Sequence, residues 1–307
     1  MHARSLAVRV ALVGALGLTA CGTSAAGNPT TSGGRTVLDV VASINAWGSI
    51  LAQLGGVHVH EHSIITNPDT DPHSYEPTPA DARTIADSQL FVDNGIGYDP
   101  WAAQAVRASP DVKRVVLTVG TLVHVPDGGN PHRWYAPADV ERVADQITAD
   151  LRRLDPADHA YFAARHQAFE GTDLARYHQL IGQIKARYAG VPVGASESIF
   201  APLADALGLD LVTPAGFLKA ISEGTDPSAA DKATIDTQIA QRQLKVYVYN
   251  SQNSTPDVAA QVSAAKAQGI PVVAVTETLS PASASFEQWQ VAQLVALAAA
   301  LHEATGK

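Results

Sequence analysis

Short apolar, β-branched runs alternate with helical patterns along this chain. Residues 37–42, 58–65 and 90–92 read as strands, with helices over 46–54 and 80–87 between them. Strands alternating with helices imply parallel βαβ units. The habit repeats with strands at 191–195, 244–249 and 272–276 and helical patterns at 199–207 and 258–267. Between the two sets, Leu174, Tyr177, Ile181, Ile184 and Tyr188 are spaced three, four, three and four, which is one face of a helix. Phe162 and Phe169 extend that face upstream across Gly171, where a kink is expected. The reading is an α/β protein: two similar open parallel-sheet lobes, residues 37–156 and 190–307, joined by one long α-helix over 157–189.

The first residues follow a different rule. Arg4 and Arg9 precede or interrupt an apolar run that stops at Leu18-Thr19-Ala20-Cys21. A basic start, a short apolar run and small residues before a cleavage point read as a secretory signal over residues 1–20. The run is too short to persist as a spanning helix. Cys21 is the only cysteine, so no disulfide can form within the chain. Its flanks resemble the bacterial lipobox, which implies lipidation of Cys21 and anchoring to a membrane surface rather than an incidental thiol. Acyl chains hold a protein there at about 0.8 kcal/mol per buried methylene when more than one is attached. Residues 22–36 are mostly Gly, Ser, Thr, Ala and Asn. They cannot bury enough apolar surface to offset ordering, so 21–36 is read as a flexible tether. The formal charge is −9, and removing the two signal arginines leaves the chain more acidic. An acidic chain without a basic stripe argues against nucleic acid as a partner and is compatible with collecting cations.

Two segments share a local plan. Pro72-His73-Ser74-Tyr75 and Pro131-His132-Arg133-Trp134 each place a histidine after a proline with an aromatic residue two positions on. Each is followed by Pro-Ala-Asp opening a helix, with Thr78 suited to cap the first and Pro79 to its first position. A histidine held between rigid prolines loses little further entropy on coordinating a metal. Glu197 and Glu277 each follow a predicted strand directly. They stand at the carboxyl edge, where open α/β sheets bind ligands, although strand-end carboxylates also serve as helix caps. Neutral imidazoles and carboxylates together suit a divalent transition metal.

The segments Asp71-Pro72-His73-Ser74-Tyr75-Glu76, Asn94-Gly95-Ile96-Gly97-Tyr98-Asp99-Pro100-Trp101, Asn130-Pro131-His132-Arg133-Trp134, Ser196-Glu197 and Val275-Thr276-Glu277-Thr278 resemble those of the metal-binding solute-binding proteins of ABC transporters, the ZnuA, TroA and PsaA types. The match runs in order over essentially the whole mature chain. The resemblance implies one metal buried in a cleft between the lobes, with two ligands from each: His73 and His132, then Glu197 and Glu277. Glutamate at the third position is the habit of manganese and iron members, whereas many zinc members have histidine. At the fourth, aspartate is common and glutamate is a departure. The long His/Asp-rich loop of many zinc members is missing, since residues 122–130 hold only His124. The resemblance further implies an exported monomer on the outer or periplasmic side of the cytoplasmic membrane, delivering its ion to an ABC transporter permease.

Two imidazoles and two carboxylates cancel a 2+ charge, which avoids the cost of an isolated buried ion. Catalytic zinc sites keep a position open to water, and four protein ligands leave less room for chemistry. The choice of ion stays between zinc and manganese, with Fe2+ behind them, because zinc outcompetes the others by raw affinity while glutamate hardens the site. An exported metallohydrolase using the same ligands and a metal-binding surface adhesin are the alternative functions.

Further signals stand apart from that set. His58, His60 and His62 alternate along a predicted strand, which would put them on one face as a weak second cation site or a plain polar surface. Asn250 and Gln252, just past a strand, would either orient ligands or close a loop. Trp134 would shield the site from water or pack the core.

Overall fold

The computed structural model describes residues 30–32, 35–68 and 72–307. Cys21 and the signal lie outside the described residues. Among the described residues no helix is long and apolar enough to cross a membrane.

The first sheet contains β1 (Thr30–Ser32), β2 (Arg35–Ile44), β3 (Val59–Ile65), β4 (Leu90–Asp93) and β5 (Val115–Thr118). β3, β2, β4 and β5 lie side by side and parallel, and β1 folds back antiparallel on the start of β2. This pairing begins inside the stretch read as a tether. Backbone hydrogen bonds extend the sheet edge there without needing apolar side chains. Leu38, Val40, Val41, Ala42 and Ile44 are all buried, as expected of a parallel strand covered on both faces. Its helices are α1 (Asn45–Gly55), α2 (Pro79–Asp87), α3 (Pro100–Ala108), α4 (Val119–Leu122) and α5 (Pro137–Leu154).

The second sheet has β6 (Pro192–Ala195), β7 (Asp210–Leu211), β8 (Val246–Asn250) and β9 (Val272–Val275), all parallel in the order β7-β6-β8-β9. Between the sheets run α6 (His159–Ala168) and α7 (Ala175–Tyr188), with a π-helical turn over Phe169–Asp173 containing Gly171. The long connecting helix therefore has its interruption at the glycine, in the form of one wide turn. Phe162, Phe169, Tyr177, Ile184 and Tyr188 are buried along it, and the same apolar core continues into both lobes. The remaining helices are α8 (Ala201–Leu207), α9 (Ala215–Ser222), α10 (Ala229–Ala240), α11 (Pro256–Ala267) and α12 (Phe286–Thr305).

One expected register is corrected. His58 does not belong to the strand: it ends a 3-10 turn, Gly56–His58, and is buried, whereas His60 and His62 point outward from β3. Gly56 adopts φ of 52°, a left-handed conformation that breaks the alternation before the strand begins. The three imidazoles therefore do not share a face.

Candidate metal centre

His73, His132, Glu197 and Glu277 come from four separate segments at the carboxyl edges of the two sheets. His73 sits in the 3-10 turn Pro72–Ser74 that follows β3. The loop beyond it is fastened by the Thr78–Asp81 capping box, in which Asp81 N–H donates to Thr78 Oγ1 at 3.3 Å and Thr78 N–H donates to Asp81 Oδ2 at 2.6 Å. Tyr75 OH also donates to Asp81 Oδ2, and the Tyr75 ring packs on Trp101. The cap expected at Thr78 thus stiffens the segment carrying the ligand candidate.

His132 is completely buried. The carbonyl of Pro131 accepts from Asn94 Nδ2 at 2.9 Å, and Asn94 Oδ1 accepts from Trp47 Nε1, which ties the His132 loop to the end of β4. Asn130 Nδ2 donates to the Ser198 carbonyl at 2.6 Å, so Asn130 Oδ1 faces the imidazole, 2.9 Å from His132 Nδ1. That contact requires the proton on Nδ1 and leaves the lone pair on Nε2 aimed inward. The rings of Trp134 and Tyr98 stand edge-on to His132, with centroids 5.6 Å and 6.2 Å away. Trp134 is fully buried and also packs on Trp47, so it both fills the core and seals one side of the site.

Glu277 lies two residues beyond β9 with its carboxylate sealed from solvent. Its Oε1 is 3.2 Å from His132 Nε2 and 3.5 Å from His73 Nε2. Gln252 Oε1 accepts the backbone N–H groups of both Glu277 and Thr278, and Tyr98 OH donates to Glu277 Oε2 at 3.3 Å. Gln252 fixes the backbone while Tyr98 fixes the carboxylate. Burial alone would raise Glu277's carboxyl, but the two histidines beside it hold it well below the usual carboxylate range. Burial also pushes His132 below an ordinary imidazole, against the pull of Glu277. With the proton on Nδ1, His132 Nε2 and Glu277 Oε1 would meet as two acceptors, so the ionised carboxylate calls for a cation between them, either a proton or a metal ion.

Glu197, two residues beyond β6, is equally buried but stands aside from this trio. His73, His132 and Glu277 each offer a ligand atom within 4.8 Å of the others. Glu197 is linked to them through Asn250, whose Nδ2 donates to Glu197 Oε1 and, at 2.9 Å, to Glu277 Oε1. Asn253 Nδ2 holds the other Glu197 oxygen at 2.8 Å. Burial first, and then the charge of Glu277, push Glu197's carboxyl up to about 8 despite these amide contacts. Two carboxylates in one sealed space cannot both ionise cheaply without a cation.

The candidates named from sequence are therefore assembled unequally: three converge, and Glu197 waits one amide away. Asn250 bridges the two carboxylates, and Gln252 accepts the backbone N–H groups of Glu277 and Thr278. Sequence reasoning missed Asn130, Tyr98 and Asn253. Asn130 and Tyr98 lie inside the quoted motifs, and Asn253 closes the Asn250-Ser251-Gln252-Asn253 run past β8. A cavity of about 650 Å³ opens beside the site and is lined by His73, Tyr98, Asn130, Ser198, Lys219 and Glu223. It gives the partly exposed His73 access from solvent.

The family model described as zinc-uptake complex component A, periplasmic, matches residues 40–300. The chain is 29% identical over 136 residues to the manganese-binding lipoprotein MntA of Halalkalibacterium halodurans, covering 43% of this chain and 45% of that protein. It is 23% identical over 199 residues to the high-affinity zinc uptake system protein ZnuA of Bacillus subtilis, covering 58% and 60%. The matched part of the chain thus spans about half the length of these relatives. In fold, it superposes with a TM-score of 0.72 on an Mn-bound point mutant of a periplasmic metal binding protein from Candidatus Liberibacter asiaticus, at 18% identity over 86% of this chain and 99% of that one. With a family match across nearly all the folded region and a shared two-lobe architecture, the chain belongs to the ZnuA family, that of the zinc-uptake complex component A.

Proposed function

We propose that this protein captures one divalent transition-metal ion, zinc or manganese with ferrous iron behind them, and delivers it to an ABC transporter permease for import. The observation that carries the reading is the convergence of His73 Nε2, His132 Nε2 and Glu277 Oε1 on one buried point. Glu197 completes the set by exchanging its amide contacts for the ion. Two neutral imidazoles and two carboxylates then balance a 2+ charge away from water. Such a closed, neutral set favours holding an ion over performing chemistry on it. Names of relatives mention manganese in one case and zinc in another, and the mixed nitrogen and oxygen donors suit either ion. A monomer anchored through Cys21 to the outer face of the cytoplasmic membrane, with residues 157–189 joining lobes 37–156 and 190–307, is the form in which we place this activity.

The test is elemental analysis of natively purified protein, followed by competitive zinc and manganese titration of wild type and of His73→Ala, His132→Ala, Glu197→Ala and Glu277→Ala. One tight equivalent is expected in wild type and is lost in the variants. Tight stoichiometric binding that survives all four substitutions would overturn the assignment. A metal-uptake defect in a deletion strain, rescued by added metal, is expected for the transport role.

A further inference from the structure

His58, separated from His60 and His62 by its turn, meets different neighbours. Leu38 pairs with Val59 at the start of β3, so His58 lies at the amino-terminal edge of the first sheet, the opposite edge from the cleft. Facing it are Asp155, immediately after α5, and Asp158, the last residue of the 3-10 turn Pro156–Asp158 that leads into α6. His58 Nδ1 is 3.1 Å from Asp158 Oδ2 and 3.8 Å from Asp155 Oδ2. The three atoms lie within 4.8 Å of one another.

This cluster lacks the partners that would make it self-sufficient. His58 and Asp155 are each only 4% exposed, yet His58 Nδ1 and Asp155 Oδ2 make no properly directed hydrogen bond. Among the described residues, no lysine or arginine pairs with either aspartate: Arg153 pairs with Asp150, and Arg152 reaches His159. A protonated His58 would offset one carboxylate. A divalent cation would offset both and satisfy the imidazole lone pair as well. Zinc bonds of about 2.0–2.1 Å set tetrahedral ligand atoms roughly 3.3 Å apart, and the two observed separations bracket that spacing. The imidazole is held in place by Tyr161, at 4.4 Å between centroids, and edge-on by Phe162 at 5.6 Å. Tyr161 OH in turn accepts the N–H of Val57, which fixes the turn. Asp158 retains about a third of its side-chain exposure, leaving a way in for the ion and room for water ligands.

We propose that His58, Asp155 and Asp158 form a second divalent transition-metal site, with zinc preferred over manganese, that pins the start of the connecting helix to the first lobe. Its ligands join the entrance of β3 to the corner between α5 and α6, so an ion there braces the joint from which α6 departs. The order of intrinsic affinities places zinc above manganese for such a nitrogen and oxygen set.

The experiment uses the full chain with the cleft disabled by His73→Ala and His132→Ala, titrated with zinc chloride and read by elemental analysis and thermal melting. About one weaker equivalent of zinc is expected to remain and to raise the melting temperature. Adding Asp158→Asn, a conservative change at a partly exposed position, is expected to weaken that binding at least about tenfold and to abolish the thermal shift. Asp155→Asn provides a second arm. His60→Gln with His62→Gln provides a surface control, expected to leave the binding intact. Absence of zinc binding in the cleft-disabled chain overturns the proposal. So does residual binding that is insensitive to Asp158→Asn, or binding that is lost in the surface control.

Discussion

Metal capture in the cleft should expel a proton, and Glu197 is the group expected to supply it. Glu197's carboxyl, at about 8 against an ordinary value of 4.5, is protonated in the metal-free protein at neutral pH. Glu277 is held below the usual carboxylate range by its histidines and burial lowers His132, which leaves Glu197 as the group whose raised value makes it the proton donor. Near pH 6, two units below Glu197's value, only about one molecule in a hundred carries the ionised form. Affinity should therefore fall by up to about tenfold per pH unit below 8, or about fiftyfold between pH 8 and pH 6, with Glu197's proton released on binding. Calorimetric titration in buffers of different ionisation enthalpy counts that proton directly. Glu197→Gln should bind more weakly and lose most of the pH dependence. Because Glu197's folded value is raised, the metal-free fold suffers no penalty below about 4.5 and loses stability as pH rises from there, until the loss levels off above about 8. Metal-free Glu197→Gln should thus melt higher than wild type at alkaline pH, with the gap closing in acid. Buffer-independent enthalpies together with flat affinity from pH 6 to pH 8 would refute the reasoning, since Glu197 would then be ionised already or take no part.

Three substitutions probe the supports of the site. Asn130→Ala removes the acceptor that keeps the proton on His132 Nδ1 and should cost about 10–100-fold in metal affinity, which competitive titration measures; losing the bond to Ser198 should lower the melting temperature as well. Gln252→Ala leaves the N–H groups of Glu277 and Thr278 without their acceptor and should destabilise the protein by about 1–3 kcal/mol in urea unfolding. Trp134→Ala opens a cavity among Trp47, Tyr98 and His132 and should cost about 3–5 kcal/mol by the same measurement, with weaker metal retention as water reaches His132.

Much of this arrangement is legible in the sequence because it rests on local rules. Apolar runs mark buried parallel strands, Thr78-Pro79 marks a capped helix start, and Glu197 and Glu277 each stand just past a strand. What is not legible depends on directions that only the folded chain supplies. The Val-His-Glu-His alternation at 59–62 suggests a strand face including His58, but the Gly55-Gly56 pair turns the backbone first and sends His58 toward aspartates nearly a hundred residues away. Asn130 becomes meaningful only when its amide donates across the cleft to Ser198 and so presents its oxygen to His132. Asn250 is legible as a residue at a strand end, but its position between two carboxylates is not. Helix α12 buries one face, Phe286, Trp289, Leu294, Leu297 and Leu301, against α7 and α1, but Val295, Ala296 and Ala299 on its exposed side blur that face in the sequence.

That last helix bears on how the cleft works. A connecting helix alone would leave the lobes free to swing on one joint, but they are also stitched beside the site. Asn45 Oδ1 accepts from the backbone of Leu279, Ser49 Oγ accepts from the backbone of Phe286, and Tyr135 OH donates to the Thr276 carbonyl. Asn130 spans the cleft to Ser198 on its other side. With one apolar core running through both lobes, wide opening would break these bonds and expose packed surface together, whereas small movements of the side chains around the ion would not. His73 is the part of the trio on a loop and partly exposed, while His132 and Glu277 are sealed and held by their neighbours. On the proposed ligand set, an ion would meet His73 from the cavity, reach the fixed pair behind it, and draw Glu197 from its amides as the proton leaves. Capture then needs a rearrangement at two side chains, and the rest of the fold supplies the rigidity that keeps the ion's place open.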